Sequence, residues 1–241
     1  MVKLLQKDGN PICSKERQIS RLTEFFDGDK FELLKANETP AIHNYHSQEH
    51  LCIRQHLNEL KKRLKPKEFI ILDIGCGNGS SIEYFIDIAD KIEGIDISKA
   101  QEERAKQRFS GNPKVIIKQV NAFDLSKKYP AIFDAVVCLG STMGNLKDQI
   151  GLITQAKSVL RPDGIMLFSV YSEHARDAQI EWYSSIGLAI SDRTCDTLNV
   201  EDQISKRFTR QELGQLAKQA GMEITIEPLT EIGYLAILRN K

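Results

Sequence analysis

Residues 69–80 read Phe-Ile-Ile-Leu-Asp-Ile-Gly-Cys-Gly-Asn-Gly-Ser, an apolar run carrying an aspartate that passes directly into three glycines. A short apolar run bounded by glycine predicts a strand buried on both faces. The glycines let the backbone turn at positive φ and come close to a ligand, because no side chain blocks the approach. Taken alone, the stretch is equally a tight strand-to-helix connection. A second run, Lys91 to Ile95, ends on Asp96, where a carboxylate can accept both hydroxyls of a ribose.

Further apolar runs, at Lys114 to Val120, Phe133 to Leu139 and Gly164 to Tyr171, alternate with helical patterns, as in a parallel sheet with crossover helices. The helices are expected at Ser80 to Ala89, Lys99 to Arg108, Asn145 to Leu160 and Ala175 to Ile186. Arg161-Pro-Asp-Gly164 is a turn by its residue types. Alternating polar and apolar residues from Leu188 to Phe208 predict a hairpin or irregular flap. Thr209-Arg-Gln-Glu212 is a capping-box pattern that opens a helix ending at Gly221. Met222 to Glu227 and Gly233 to Leu238 read as two last strands, suited to an antiparallel edge. Before Lys67, Lys15 to Phe26 and Ser47 to Leu64 carry amphipathic patterns, the second with Ser47 as a cap and Leu51, Leu57, Leu60 and Leu64 in its stripe. The stretch between them, Ala36 to His46, reads as irregular.

Lysine plus arginine equals aspartate plus glutamate at 33 each, so no net field favours nucleic acid, membrane or an acidic partner. Lys61-Lys-Arg-Leu-Lys-Pro-Lys67 is a local basic cluster, but it sits at a helix C-terminus, where cations complement the macrodipole. The five cysteines, Cys13, Cys52, Cys76, Cys138 and Cys195, form no CxxC or Cys/His cluster, which argues against a zinc site or disulfide framework and fits a reducing compartment. The opening MVKLLQKDGN lacks the apolar core of a secretory signal, and no run approaches bilayer-spanning length; a soluble cytoplasmic protein is expected.

From Phe69 onward the chain resembles the class I S-adenosylmethionine-dependent methyltransferases. Their first motif, two hydrophobic residues, Asp, a hydrophobic residue and Gly-x-Gly-x-Gly, is matched by Ile71 to Gly79 at each defined position. The resemblance implies a Rossmann-like α/β sheet, mostly parallel with an antiparallel final strand, and helices on both faces. It divides the chain into a helical extension or cap over residues 1–66 and a cofactor-binding core over 67–241, with an insertion at about 172–206. It implies S-adenosyl-L-methionine as cofactor. Gly75, Cys76 and Gly77 would meet its amino-acid portion through backbone, and Asp73 would help hold the ammonium directly or through water. Asp96 would take the ribose hydroxyls and Ile97 would pack on the adenine; Gly79 and Leu139 complete the set. The rival is a nicotinamide or flavin enzyme. Its G-x-G-x-x-G needs glycine where Ser80 stands, and Asp73 would repel a pyrophosphate.

Asn121-Ala-Phe-Asp124 follows the third strand, where the family usually places an acid that accepts from the adenine amino group. An amide there can accept, or its NH2 can donate to a ring nitrogen, with Ala122 and Phe123 lining the adenine pocket. The alternative is a polar turn with Phe123 in the core. Leu139-Gly-Ser-Thr-Met-Gly-Asn-Leu146 is neither the Asp/Asn-Pro-Pro-aromatic signature of amino-directed DNA methyltransferases nor the Pro-Cys of cytosine-C5 enzymes. It is similar to the loop of small-molecule N-methyltransferases, which implies Ser141 and Asn145 beside a polar substrate, Asn145 also capping the next helix.

Other substrate candidates each carry a plainer alternative. Tyr45 lies against sulfonium or substrate, or packs locally; Tyr171 ends the fifth strand. Arg176 pairs with a substrate carboxylate, and Trp182 or Tyr183 walls a cationic amine, or these aromatics pack beneath the flap. His43, His46 and His50 fall at spacings of three and four with Glu49 nearby. With no carboxylate motif to fix metal geometry, they read as hydrogen-bonded or solvated side chains, and no metal is expected. Methyl transfer from a sulfonium is an in-line displacement that needs alignment and exclusion of water, so no catalytic residue is assigned. The expected activity is methylation of a small polar metabolite, an amine or amino-acid-like molecule. A protein or RNA methyltransferase and a non-catalytic S-adenosylmethionine-binding regulator are the alternatives.

Overall fold

The computed structural model describes residues 20–241; the start of the first expected helix, the opening segment and Cys13 lie outside them. Strands β1 (Ile70–Ile74) and β4 (Phe133–Cys138) are buried along nearly their whole length, as strands covered on both faces must be. Parallel register sets Ile71 beside Ile92 of β2 (Lys91–Asp96) and beside Ala135 of β4. With β3 (Val115–Gln119), β5 (Leu160–Tyr171), β9 (Met222–Thr230) and β10 (Gly233–Asn240) they form a seven-stranded sheet ordered β3-β2-β1-β4-β5-β10-β9. β10 runs antiparallel to both neighbours, giving the expected reversed final strand. The order reverses between β1 and β4, which opens a crevice at their carboxyl ends.

Period-two alternation sends the strand side chains into two cores. Ile71, Val137 and Leu167 meet Ile53, Leu57 and Leu60 of α3 (Pro40–Leu64) on one face. Leu72, Val136 and Phe168 meet Leu152 and Ile153 of α6 (Gln149–Val159) and Leu213 of α8 (Arg210–Gln219) on the other. Each fully buried leucine, such as Leu57, contributes about 2 kcal/mol of hydrophobic stabilisation.

Several boundaries differ from those expected. After α1 (residues 20–27) comes an unforeseen short helix α2 (Lys30–Ala36), and α3 starts at Pro40 rather than Ser47. Thr39 is extended and Pro40 occupies the first turn, where its missing N–H has no partner to lose. The stretch read as irregular is therefore largely helix, and Ile42, Tyr45, His46, Glu49, Ile53 and Leu57 share its buried face. Leu51, counted in the apolar stripe, faces solvent instead.

The helix expected over Ser80 to Ala89 is only a 3-10 turn at Ser80–Tyr84 followed by irregular turns. Ser80 N–H bonds Asn78, the Ser81 hydroxyl bonds Asp73, and the Tyr84 carbonyl accepts from Arg54, so local polar partners compete with a helical ladder. Asn145 closes a separate 3-10 turn, Thr142–Asn145, and Asp148 caps α6 through Gly151 N–H at 2.7 Å. The Arg161–Gly164 stretch bulges from the β4–β5 ladder: Phe133 pairs with Leu160 but Ala135 with Ile165.

The flap is a three-stranded antiparallel sheet of β6 (Ile190–Thr194), β7 (Thr197–Val200) and β8 (Gln203–Lys206), preceded by α7 (Arg176–Ser184). Phe208 N–H donates to Tyr171 O at 2.9 Å, so the excursion leaves and rejoins the core beside one strand end. Thr209 and Glu212 form the complete capping box at α8. The remaining helices are α4 (Lys99–Arg108) and α5 (Leu125–Lys128). Among the described residues no helix is long and apolar enough to cross a membrane.

Candidate active site

At the end of β1, the N–H groups of Gly75 and Cys76 both donate to Ile95 O, at 2.8 and 3.0 Å, folding the loop over the end of β2. Gly75 sits at φ 70°, and a Cβ there would lie 2.6 Å from Thr142 Cγ2, so only glycine fits between the loop and the β4 exit. The two oxygens of Asp96 accept Gly77 N–H and Ser98 N–H, each at 2.9 Å. Each oxygen keeps a lone pair for a further donor. Burial raises the Asp96 pKa, and the backbone donors oppose the rise.

Asp73 lies beneath the loop, 1% exposed, and accepts from Ser81 Oγ at 3.0 Å. Burial pushes its pKa up to about 7; the Ser81 bond opposes this, while Asp96 and Glu49 add like charge.

A cavity of about 550 Å³ opens above these strand ends, within the range of about 300–1,000 Å³ usual for small ligands. Gly75, Cys76, Gly77, Asp96 and Ile97 wall one end, with Asn121, Ala122 and Phe123 beyond β3. Asn121 Oδ1 accepts Phe123 N–H at 3.0 Å and caps a short turn, so its NH2 is the group left to bond a ligand. Leu139, Gly140 and Asn145 of the β4 exit, Trp182 of α7, and His46, Glu49 and His50 of α3 wall the other end. Gly140 and Ser141 are both left-handed, at φ 60° and 58°. The serine conformation costs about 1–2 kcal/mol, and its hydroxyl accepts Tyr171 N–H at 3.3 Å.

Not every residue singled out in the sequence reaches the cavity. Gly79 packs against Phe109, where a Cβ would come within 2.6 Å of the ring, and is not a lining residue. Tyr45, Ser141, Tyr171 and Tyr183 are buried behind the wall. The rings of Tyr45 and Tyr171 lie 5.1 Å apart, and Tyr183 OH bonds Ser205 Oγ at 2.8 Å. Arg176 is half-exposed and bonded to Asp192 of β6 at 2.7 Å, away from the cavity. Trp182 does line it, oriented by its Nε1–H bond to Leu34 O at 2.9 Å.

The structure adds Glu38 to the site and brings to the cavity His46, Glu49 and His50, which the sequence weighed only as a metal group. Glu49 is 2% exposed; its Oε1 accepts Gly140 N–H at 2.9 Å and the Ser169 hydroxyl, and its Oε2 lies 3.7 Å from His50 Nε2. Glu38 holds His46 Nδ1 at 2.7 Å. Burial alone would raise the Glu38 pKa, but the bond and charge of His46, with Lys35 and His43, bring it down to about 2. Burial lowers His50 to about 4, against the pull of Glu49, and its ring stacks on Tyr84 at 3.5 Å. Extending the helical period back to Pro40 would have aligned His46, Glu49 and Ile53. Among the described residues no group of three His, Cys, Asp or Glu side chains is placed to hold a metal ion.

The reversed strand order, the glycine loop and a carboxylate ending the second strand together define a Rossmann-like fold with a site for a nucleoside cofactor. Residues 44–226 match the family described as the methyltransferase domain, and the chain belongs to it, as an S-adenosylmethionine-dependent methyltransferase. A ubiquinone biosynthesis O-methyltransferase of Thiobacillus denitrificans is 25% identical over 171 residues, covering 67% of this chain and 70% of that protein. The structure of the DhpI–SAH complex superposes with a TM-score of 0.68 at 15% identity, over 92% of this chain and 97% of that one. The 1,6-didemethyltoxoflavin-N1-methyltransferase of Burkholderia thailandensis, solved with 1,6-didemethyltoxoflavin and S-adenosylhomocysteine, aligns at TM-score 0.65 and 15% identity, over 100% of this chain and 93% of that one. At these identities the structural likeness is one of fold. The residues present fit the cofactor: a glycine cradle that a Cβ would block, an Asp96 with open lone pairs, and a buried Asp73 that a cation would complement.

Proposed function

We propose that this protein methylates a small polar metabolite, an amine or amino-acid-like molecule, in the cytoplasm. The observation that carries this reading is a single cavity running from Gly75 and Asp96 to Trp182 and Glu49. At the first end, Asp96 would accept the ribose hydroxyls, and the backbone of Gly75, Cys76 and Gly77 would hold the amino-acid portion, with Asp73 complementing its ammonium. Ile97, Ala122 and Phe123 would enclose the adenine while the Asn121 NH2 donates to a ring nitrogen. The cofactor supplies a methyl group already activated on a sulfonium. The chain's own part is to bind, align and exclude water.

Around the cavity as a whole, the lining carboxylates Glu32, Glu38, Glu49 and Asp96 outnumber the cations Lys35 and Arg108 among the described residues. That balance favours a cationic or neutral acceptor over an anion. Trp182 adds an aromatic wall suited to a cation. The helices before residue 67 would serve as a cap, and the 172–206 insertion would close the cavity through Trp182.

A labelled-methyl screen across amines, amino acids, phenols, peptides and RNA tests the reading: transfer confined to peptides or RNA removes it. A hydroxyl acceptor is the second reading, favoured by the likeness to an O-methyltransferase. Label on a phenol oxygen in the same screen decides for it.

A further inference from the structure

We infer that Glu49 is the base that takes a proton from the acceptor's ammonium group, and that His50 relays this proton to solvent. The inference rests on the amine reading above. Burying a carboxylate is costly unless a cation or hydrogen bonds compensate it. The titratable groups coupled to Glu49 include His50 and Tyr45 on its own helix, Asp73 on β1, Cys138 on β4 and Tyr171 on β5, while Lys35 of α2, Glu38 and His46 act on His50. Among the described residues its ion-pair partner within 4 Å is His50, at 3.7 Å.

The two carboxyl oxygens have different surroundings. Oε1 accepts both Gly140 N–H and the Ser169 hydroxyl, which ties α3 to the β4 exit and to β5. Oε2 carries neither bond and faces the His50 ring nitrogen. The fixed oxygen holds the group in place, and the other is available to take a proton. A Cβ built on Gly140 meets nothing within 4 Å, so there is room for an acceptor next to the carboxyl. His50 is neutral at physiological pH, and its side chain is 19% exposed, so it links a buried acid to water.

The step balances as follows. An N–H bond of the ammonium breaks, its electron pair stays on nitrogen, and the proton goes to Glu49 Oε2. The nitrogen pair forms the bond to the methyl carbon while the sulfur–carbon pair returns to sulfur. The positive charge leaves sulfur and ends on the methylated nitrogen. The proton on Glu49 passes to His50 Nε2, the imidazolium releases a proton to solvent, Glu49 returns to its carboxylate and His50 to a neutral ring, whose tautomers re-equilibrate through water.

The test compares wild type with Glu49→Gln, whose amide oxygen can still accept from Gly140 and Ser169, and with Glu49→Asp. Calorimetry with S-adenosylhomocysteine checks that each variant keeps a folded cofactor site, with affinity within about threefold of wild type. The acceptor is the best substrate in a panel of amines, amino acids and phenols that includes tyramine, which offers both an amine and a phenol. Glu49→Gln should lower kcat by about 10²–10⁴-fold and change the pH dependence of kcat/KM. It should also weaken acceptor binding to the S-adenosylhomocysteine complex at least tenfold, and Glu49→Asp should recover part of the rate. Methyl transferred to nitrogen by Glu49→Gln at an unchanged rate and pH profile overturns the assignment of Glu49 alone. Label on oxygen, or on no member of the panel, in wild type overturns the amine reading and this inference with it.

Discussion

Replacing Asp73 with asparagine should stabilise the cofactor-free protein at pH 8 while loosening its hold on the cofactor. The carboxyl ionises at about 7 in the folded chain against an ordinary value of 3.8. The folded state therefore binds the proton more tightly than the unfolded state does. This contribution favours folding fully below about pH 4 and is withdrawn as pH rises to about 7. The gap of about 3 pK corresponds to about 4 kcal/mol, the penalty for keeping this group charged at pH 8. Asparagine has the same shape, offers Ser81 an acceptor and carries no charge. Urea denaturation at pH 8 should show the variant more stable by up to about 4 kcal/mol. Between pH 4 and 7 wild type should lose stability that the variant keeps.

S-adenosylhomocysteine carries the same ammonium as the cofactor, so its affinity should drop by about 1.5–3 kcal/mol, roughly 10–100-fold. In wild type that affinity should also fall as pH drops below 7, because the carboxyl protonates; in the variant this dependence should disappear. A less stable variant at pH 8, a stability–pH curve parallel to wild type, or unchanged ligand affinity would each refute the reasoning.

Other expectations follow from single contacts. Asp96→Ala should weaken S-adenosylhomocysteine binding by about 3 kcal/mol, roughly 100-fold, since it removes a charged acceptor; unchanged affinity by calorimetry takes Asp96 out of the ribose site. Gly75→Ala should destabilise by the left-handed strain, about 1–2 kcal/mol, plus its contact with Thr142 Cγ2. Adding Thr142→Ser deletes that methyl and should recover only the contact part; a double variant no more stable than the single one contradicts this division. Arg161→Ala should cost about 3 kcal/mol, because Asp134, 2% exposed, would keep only Ile70 N–H. A lowered urea midpoint with unchanged slope is the signature, and a loss below about 1 kcal/mol counts against it.

The glycine loop and the acid ending β2 were legible because their determinants are local. Strand β1, its glycines and the acid ending β2 lie in short stretches whose chemistry depends on near neighbours, and the capping box at Thr209 is contained within four residues. Where local rules compete, the reading slipped. The stretch holding Pro40 read as irregular, but Pro40 starts α3, and the serines after Gly79 spend their hydrogen bonds on Asn78 and Asp73 instead of a helix.

The other end of the cavity needed tertiary structure. Glu49 meets Gly140 and Ser169 across separations of 91 and 120 residues, contacts no local period encodes. Which face of α3 looks into the cavity depends on how it docks on β5, β9 and β10. The same packing sent Arg176 to Asp192 and put Tyr45, Tyr171 and Tyr183 behind the wall while leaving Trp182 in it. The sequence by itself determined the strands of the core sheet, the glycine loop and the carboxylate ending β2, through hydrophobic period and backbone stereochemistry. Only the tertiary structure decided which polar side chains share the far end of the cavity, because burial and charge pairing there arise from segments far apart in the chain.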